Sequence, residues 1–169
     1  PNINIGEKFI SIHFKIEEGA QYKIKKVAIT GDLIFPKEEL LENIQCKETQ
    51  LYNREFIRED ILTISDLYSN KGFANVDISP IVDKNSSEKV MSITYSINKG
   101  MPVYFSRVNI SGNSKTRDKV IRREIKILEQ GLYSKENIQK SHDNVNRLGY
   151  FSEVDIQPVK TSDENEMDL

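Results

Sequence analysis

The side chains best equipped for chemistry are few in this sequence, and they stand far apart. His13 and His142 are the two histidines, and Cys46 is the one cysteine. Nucleophilic catalysis needs a serine or cysteine with a histidine and an orienting carboxylate, and a zinc site needs His or Cys at short fixed spacings. Neither order nor spacing occurs. His13 falls on the polar face of an alternating segment. His142 falls on the apolar stripe of a helical segment, so both read as structural residues. Gly112–Lys115 has the lysine of a phosphate loop without its further glycines. The acidic runs at Lys37–Glu39 and Asp163–Glu166 read as a first helical turn and a solvated hairpin. Cys46, near a helix end, reads as an inert packing residue. The expectation is a binding protein with no catalytic residue, no metal site and no cofactor.

A local basic cluster raises a second class of chemistry. Lys115, Arg117, Lys119, Arg122 and Arg123 lie close in sequence, and small α+β domains include KH modules that bind nucleic acid. Asp118, Glu124 and Glu129 interrupt the cluster, no GxxG joins two helices, and no stacking aromatics surround it. The overall balance is 24 basic against 26 acidic residues, a net charge of −2, with no general bias toward polyanions. A solvated helix face and no nucleic-acid partner is the reading; a KH-like module is the competing one.

The elements that position these residues are set by a repeat. Ile16 and Ile97, Gly19 and Gly100, Val27 and Val108, Ile29 and Ile110, Gly31 and Gly112, and Tyr52 and Tyr133 all stand 81 positions apart. Six matches at one offset mean a tandem duplication. A chain of 169 residues then divides into two small domains, each near the lower size at which an unstapled core suffices. The expected boundaries are 1–18 for the last strand of a preceding domain, 19–100 for a complete domain and 101–169 for a second one. No apolar run approaches the ~20 residues that span a bilayer, and no leader opens the chain. Its abrupt ends read as those of an excised piece.

Each repeat reads as strand, helix, helix, strand, strand. Residues 8–17 alternate, with Ile10, Ile12, Phe14 and Ile16 on one face, and Val90–Asn98 alternates likewise. In each first strand the apolar parity switches: Tyr22 and Ile24 against Val27 and Ile29, then Val103 and Phe105 against Val108 and Ile110. A one-residue slip exchanges the faces of a strand, so a bulge is expected near Lys25–Lys26 and near Ser106–Arg107. Tyr22, Ile24, Val103 and Phe105 are then expected to pack against the preceding domain. Pro36 suits the first position of the first helix, and Thr116 the cap of its counterpart. Leu40, Leu41 and Ile44, and Val120, Ile121, Ile125 and Leu128, form buried stripes. Asn53 and Ser134 cap the second helices, which Gly72 and Gly149 end.

Residues 75–80 and 152–158 follow, each closed by a proline that confines its strand to a sheet edge. Asn75, Val76, Asp77, Ile78 and Ser79, with Ser152, Glu153, Val154, Asp155, Ile156 and Gln157, are the candidate peptide-binding edges. Polar outward residues and prolines also serve to prevent edge association, and the sequence leaves both readings open. A turn at Asn85–Ser87 returns the chain into the third strand. A helical connection lets the first strand pair in parallel with the third, and a hairpin joins the second to the third. The predicted sheet order is first, third, second, an α+β fold with both helices on one face. The second sheet is expected to lack most of its central strand. Residues 10–16 of another molecule are the expected donor for that gap, giving a strand-exchanged oligomer.

With this topology and these residues, the chain resembles tandem POTRA domains of the BamA family of outer-membrane β-barrel assembly proteins. The carrying residues are Val108–Thr116, Val120–Ile125, Gly131–Ser134 and Asn146–Phe151, with Gly31, Leu51, Tyr52, Gly72 and Phe73 in the first copy. The resemblance implies penultimate and membrane-proximal domains, at the periplasmic face of the outer membrane of a Gram-negative bacterium. It implies a scaffold that binds unfolded outer-membrane proteins, docks accessory lipoproteins and adjoins a C-terminal membrane barrel; a related secretion barrel is the alternative. It also places Glu129, with Arg122, against a lipoprotein partner.

Overall fold

The computed structural model describes residues 2–5, 10–15 and 18–169. At the start, β1 (Asn2–Ile5) pairs antiparallel with β2 (Ile10–His13). The alternation expected over 8–17 thus includes β2, while residues 8, 9, 16 and 17 lie outside the described set.

In the first repeat, β3 (Lys23–Gly31) is followed by α1 (Lys37–Asn43), α2 (Arg54–Ser69), β4 (Asp77–Asn85) and β5 (Val90–Asn98). The sheet order is β3-β5-β4, with β5 parallel to β3 and antiparallel to β4, as the connections require. Along β5, Ile93, Tyr95 and Ile97 are buried against the helices, while Ser92, Thr94 and Ser96 take the other face. That alternation is what a sheet covered on one side imposes.

The expected bulge is present, and its consequence differs from expectation. Ile24 pairs with Met91 and Lys26 with Ser92, so Lys25 is the extra residue. A bulge slips the backbone by one, which cancels the switch of parity in the sequence. Ile24 and Ile29 therefore face the same side, at 1% and 3% exposure, in one core with Leu40, Ile64 and Ile93. The second repeat repeats the device. Ser106 donates to Met167, but Leu169 donates to Arg107, one residue further than a regular ladder allows. Phe105 and Val108 are then both core residues, with Phe105 stacked on Tyr133 at 5.5 Å. Packing of Ile24 and Phe105 against a preceding domain is corrected accordingly: both fill the core of their own repeat.

Helix starts follow local chemistry. The side chain of Asn53 accepts from the Glu55 amide, and that of Ser134 from the Asn137 amide. Pro36 stands one place earlier than expected, just outside α1, with its carbonyl accepting from Leu40. Thr116 is not the cap; that place falls to Arg117, without a side-chain bond.

The second repeat comprises β6 (Tyr104–Phe105), α3 (Asp118–Arg122), α4 (Lys135–Arg147), β7 (Val159–Lys160) and β8 (Glu166–Asp168), in the order β6-β8-β7. Here α3 is five residues, far shorter than the stripe to Leu128 implied. Ile127 is buried instead, and Leu128 is 76% exposed. Among the described residues, no helix is long and apolar enough to cross a membrane.

Candidate functional site

The two edges predicted to bind peptide fare differently. In the first repeat, β4 is the free edge of its sheet, nine residues long. It holds Asp77, Ile78 and Ser79, whereas Asn75 and Val76 belong to the turn before it. Ile78 points into the core; Asp77, Ser79, Ile81 and Val82 are exposed. Pro80 sits within the strand, which is tolerated at an edge because a proline there withholds no bond from a neighbour.

In the second repeat, Ser152–Gln157 form no strand, and β7 begins only at Val159. β8 pairs with Val159 and Lys160, and among the described residues no strand pairs with 152–157. These residues keep a period of two, with Val154 and Ile156 half-buried and Glu153, Asp155 and Gln157 exposed. Glu153–Gln157 line a groove of about 300 Å³ together with Val108–Asn113, Ile121, Ile125 and Val145. His142 fixes one wall, its Nε2 lying 3.1 Å from the Val154 carbonyl. That is the structural role its place on the helix stripe suggested.

Arg122 and Glu129 are brought together, 3.6 Å apart and each half-exposed. Both also engage the backbone of Val108: Glu129 Oε1 accepts its N–H at 3.1 Å, and Arg122 Nη2 donates to its carbonyl at 2.9 Å. Of the residues expected between domains, Val103 donates its N–H to the Gly72 carbonyl of the first repeat at 2.8 Å. Tyr22 is half-buried beneath Lys84 of its own repeat, with Nζ 4.5 Å from the ring centre. The joint has further members that spacing did not reveal. Lys135 pairs with Asp66 at 2.6 Å, the Asn70 side chain accepts from the Glu136 amide at 2.8 Å, and Leu132 packs on Gly72. Asn70 thus caps a helix of the other repeat.

A buried polar position was also missed. Asp60 and Ser141 stand 81 residues apart, and both are fully buried. Asp60 accepts from the amides of Gln45 at 2.5 Å and Cys46 at 3.1 Å, and from the Tyr95 hydroxyl at 2.6 Å. Ser141 accepts from the Lys126 amide at 2.8 Å, and Asn144 donates to the Glu124 carbonyl. Each second helix thereby pins the loop after the first. The one available signal was a polar residue inside an apolar stripe, three positions after Ile57 and after Ile138. Burial pushes the Cys46 thiol up to about 11, and burial next to Asp60 raises the Tyr95 phenol as well. A thiol held protonated is a poor nucleophile. Among the described residues, no three His, Cys, Asp or Glu side chains gather as a metal site would require.

Residues 22–100 and 103–169 each match the model of the POTRA family, described as "Surface antigen variable number repeat". The chain belongs to the POTRA family. The outer membrane protein assembly factor BamA of Nitratidesulfovibrio vulgaris is 34% identical over 173 aligned residues, covering 100% of this chain and 22% of that protein. BamA of Neisseria meningitidis is 31% identical over 150, covering 88% and 19%. These POTRA repeats thus span about a fifth of the length of the curated relatives they match. The crystal structure of Haemophilus influenzae BamA POTRA3-5 is similar in fold, with a TM-score of 0.84 at 18% identity, over 99% of this chain and 67% of that one.

Proposed function

We propose that these POTRA repeats are part of the periplasmic scaffold of an outer-membrane protein assembly factor. In this reading, 19–100 is the penultimate domain, 101–169 the membrane-proximal one, and 1–18 the end of the domain before. The scaffold receives extended segments of unfolded outer-membrane proteins by strand addition and passes them toward a membrane barrel in the same polypeptide. The observation that carries this reading is the free edge of β4, nine residues long and interrupted only by Pro80. An edge offers unpaired backbone groups and little side-chain selectivity, which suits many clients of alternating sequence. Similarity to BamA proteins supports the choice of client. Titration of the ¹⁵N-labelled chain with a peptide from a barrel strand should shift the amides of Asp77–Asn85. Shifts confined to other parts of the chain would sink the proposal.

In the same reading, accessory lipoproteins dock at Arg122 and Glu129, with Leu128 as an apolar contact beside them. Support comes from Leu128, 76% exposed, standing next to a half-exposed ion pair, so that apolar surface and charge are offered together. Glu129→Gln should weaken lipoprotein capture in a pull-down while leaving the far-UV spectrum unchanged. Undiminished capture would remove Glu129 from the docking surface.

A further inference from the structure

We propose that the outer edge of the first strand of the second repeat, at Val108, is a second strand-accepting edge. Arg122 and Glu129 hold it shut by taking the place of a neighbouring strand. On the inner side, Leu169 donates to the Arg107 carbonyl and Asn109 donates to the Leu169 carbonyl. Backbone groups alternate sides along an extended strand. The N–H and C=O of Val108, lying between those residues, therefore point outward. There they meet one acceptor, Glu129 Oε1, and one donor, Arg122 Nη2. An antiparallel strand supplies the same pair of bonds to a hydrogen-bonded residue.

This outer edge already accepts a strand a few residues earlier. Tyr133 donates to Val103, Phe105 donates to Gly131, and Gln130 donates to Phe105. The ladder stops at Gln130, whose φ of +67° turns the backbone away. The next residue back is Glu129, and its side chain continues the pairing that the backbone has left. The first repeat has the same turn at Thr49, with φ of +71°, and Glu48 beside it. Leu41 stands there in the place of Arg122, so the cationic half of the bracket belongs to the second repeat alone.

The occupant that fits is an extended polypeptide segment, adding antiparallel beyond Gln130 and bonding Val108 once the two side chains let go. Both are half-exposed, so a charged group of a partner can reach and draw off either one. Engaging Glu129 and opening the edge are then one event. The bracket itself does not depend on lipoprotein docking at Glu129, nor on client binding at β4.

Deuterium exchange of the ¹⁵N-labelled chain tests it. Val108's amide should exchange roughly tenfold more slowly in wild type than in Glu129→Ala, the equivalent of one ordinary hydrogen bond. Glu129→Gln keeps an acceptor and should remain close to wild type. A double variant, R122A with E129A, should show shifts at Arg107–Ile110 on titration with an alternating Thr-Val decapeptide; wild type should show none there. Equal exchange in wild type and Glu129→Ala overturns the bracket. A peptide response that is absent, or confined to β4, overturns the edge as an acceptor. If the double variant loses its dispersed spectrum, the single-variant exchange rates decide: fast exchange at Val108 in wild type rejects the proposal. Failure of lipoprotein capture to respond to Glu129→Gln would leave Val108 protection untouched, which separates this inference from the docking one.

Discussion

Asp60→Ala is expected to lower the stability of the first repeat by roughly 3–5 kcal/mol, several donors losing their acceptor at once. The Gln45 and Cys46 amides and the Tyr95 hydroxyl all donate to this carboxyl, which is fully buried. Each buried donor left unpaired costs about 1–3 kcal/mol. The sum is reduced because a vacated carboxyl leaves room for water. Two substitutions distinguish lost bonding from lost volume. Asp60→Leu fills the space and leaves every donor unpaired, so it should be as damaging as Ala. Asp60→Ser installs the residue used at the matching position of the second repeat, where Ser141 accepts from Lys126. It should recover part of the loss. Thermal denaturation followed through amide cross-peaks of the first repeat measures each variant. A loss under about 1 kcal/mol for both Ala and Leu would mean that the loop holds without Asp60.

The same position explains what the sequence conceals. Sheet order, the two bulges and the caps at Asn53 and Ser134 were readable because each rests on local chemistry or on short-period alternation. The parity switch at Lys25–Lys26 was readable too, but its meaning was not. Whether a slip sends Ile24 outward or keeps it inward depends on pairing with Met91 of β5, 67 residues away in sequence. The end of α3 was hidden for a related reason. Val120, Ile121, Ile125 and Leu128 have helical spacing, yet Ser141 takes the Lys126 amide and Asn144 the Glu124 carbonyl. Those bonds compete with continuation of the helix and come from a partner that periodicity cannot see. Comparing the copies for identical residues also misses this device, since one has Asp and the other Ser. At the candidate sites, β4 was legible as an edge through Pro80. The strand expected at 152–157 was not delivered, because alternation states that a segment is extended without supplying its neighbour. Arg122 and Glu129 were located through resemblance; their grip on Val108 follows from the bulge, which re-aims that residue.

Gly31→Ala should be as severe as Asp60→Ala, roughly 3 kcal/mol or more, and the same change at Gly112 should not be. Gly31 ends β3 and Gly112 stands at the matching position of the second repeat, beyond β6; both have positive φ, +99° and +80°. That conformation alone costs an L-residue about 1–2 kcal/mol. The environments differ. A Cβ on Gly31 would lie 2.1 Å from the Ile97 carbonyl oxygen and 2.9 Å from its nitrogen, all backbone of the central strand β5. No rotamer change relieves a clash with backbone, so β3 and β5 must separate where Gly31 pairs with Ile97 and Asp32 donates to the same carbonyl. Around Gly112, which β8 does not reach, nothing among the described residues lies within 4 Å of an added Cβ, which leaves the dihedral cost alone. For a unit of this size, 3 kcal/mol corresponds to a fall in Tm of more than about 10 °C. Gly112→Ala should lower it by less than half as much. Equal shifts for the two variants would show that strain at φ, and not the approach of β5, decides the glycine. A large loss at Gly112 together with a small one at Gly31 would contradict the packing described for the first sheet.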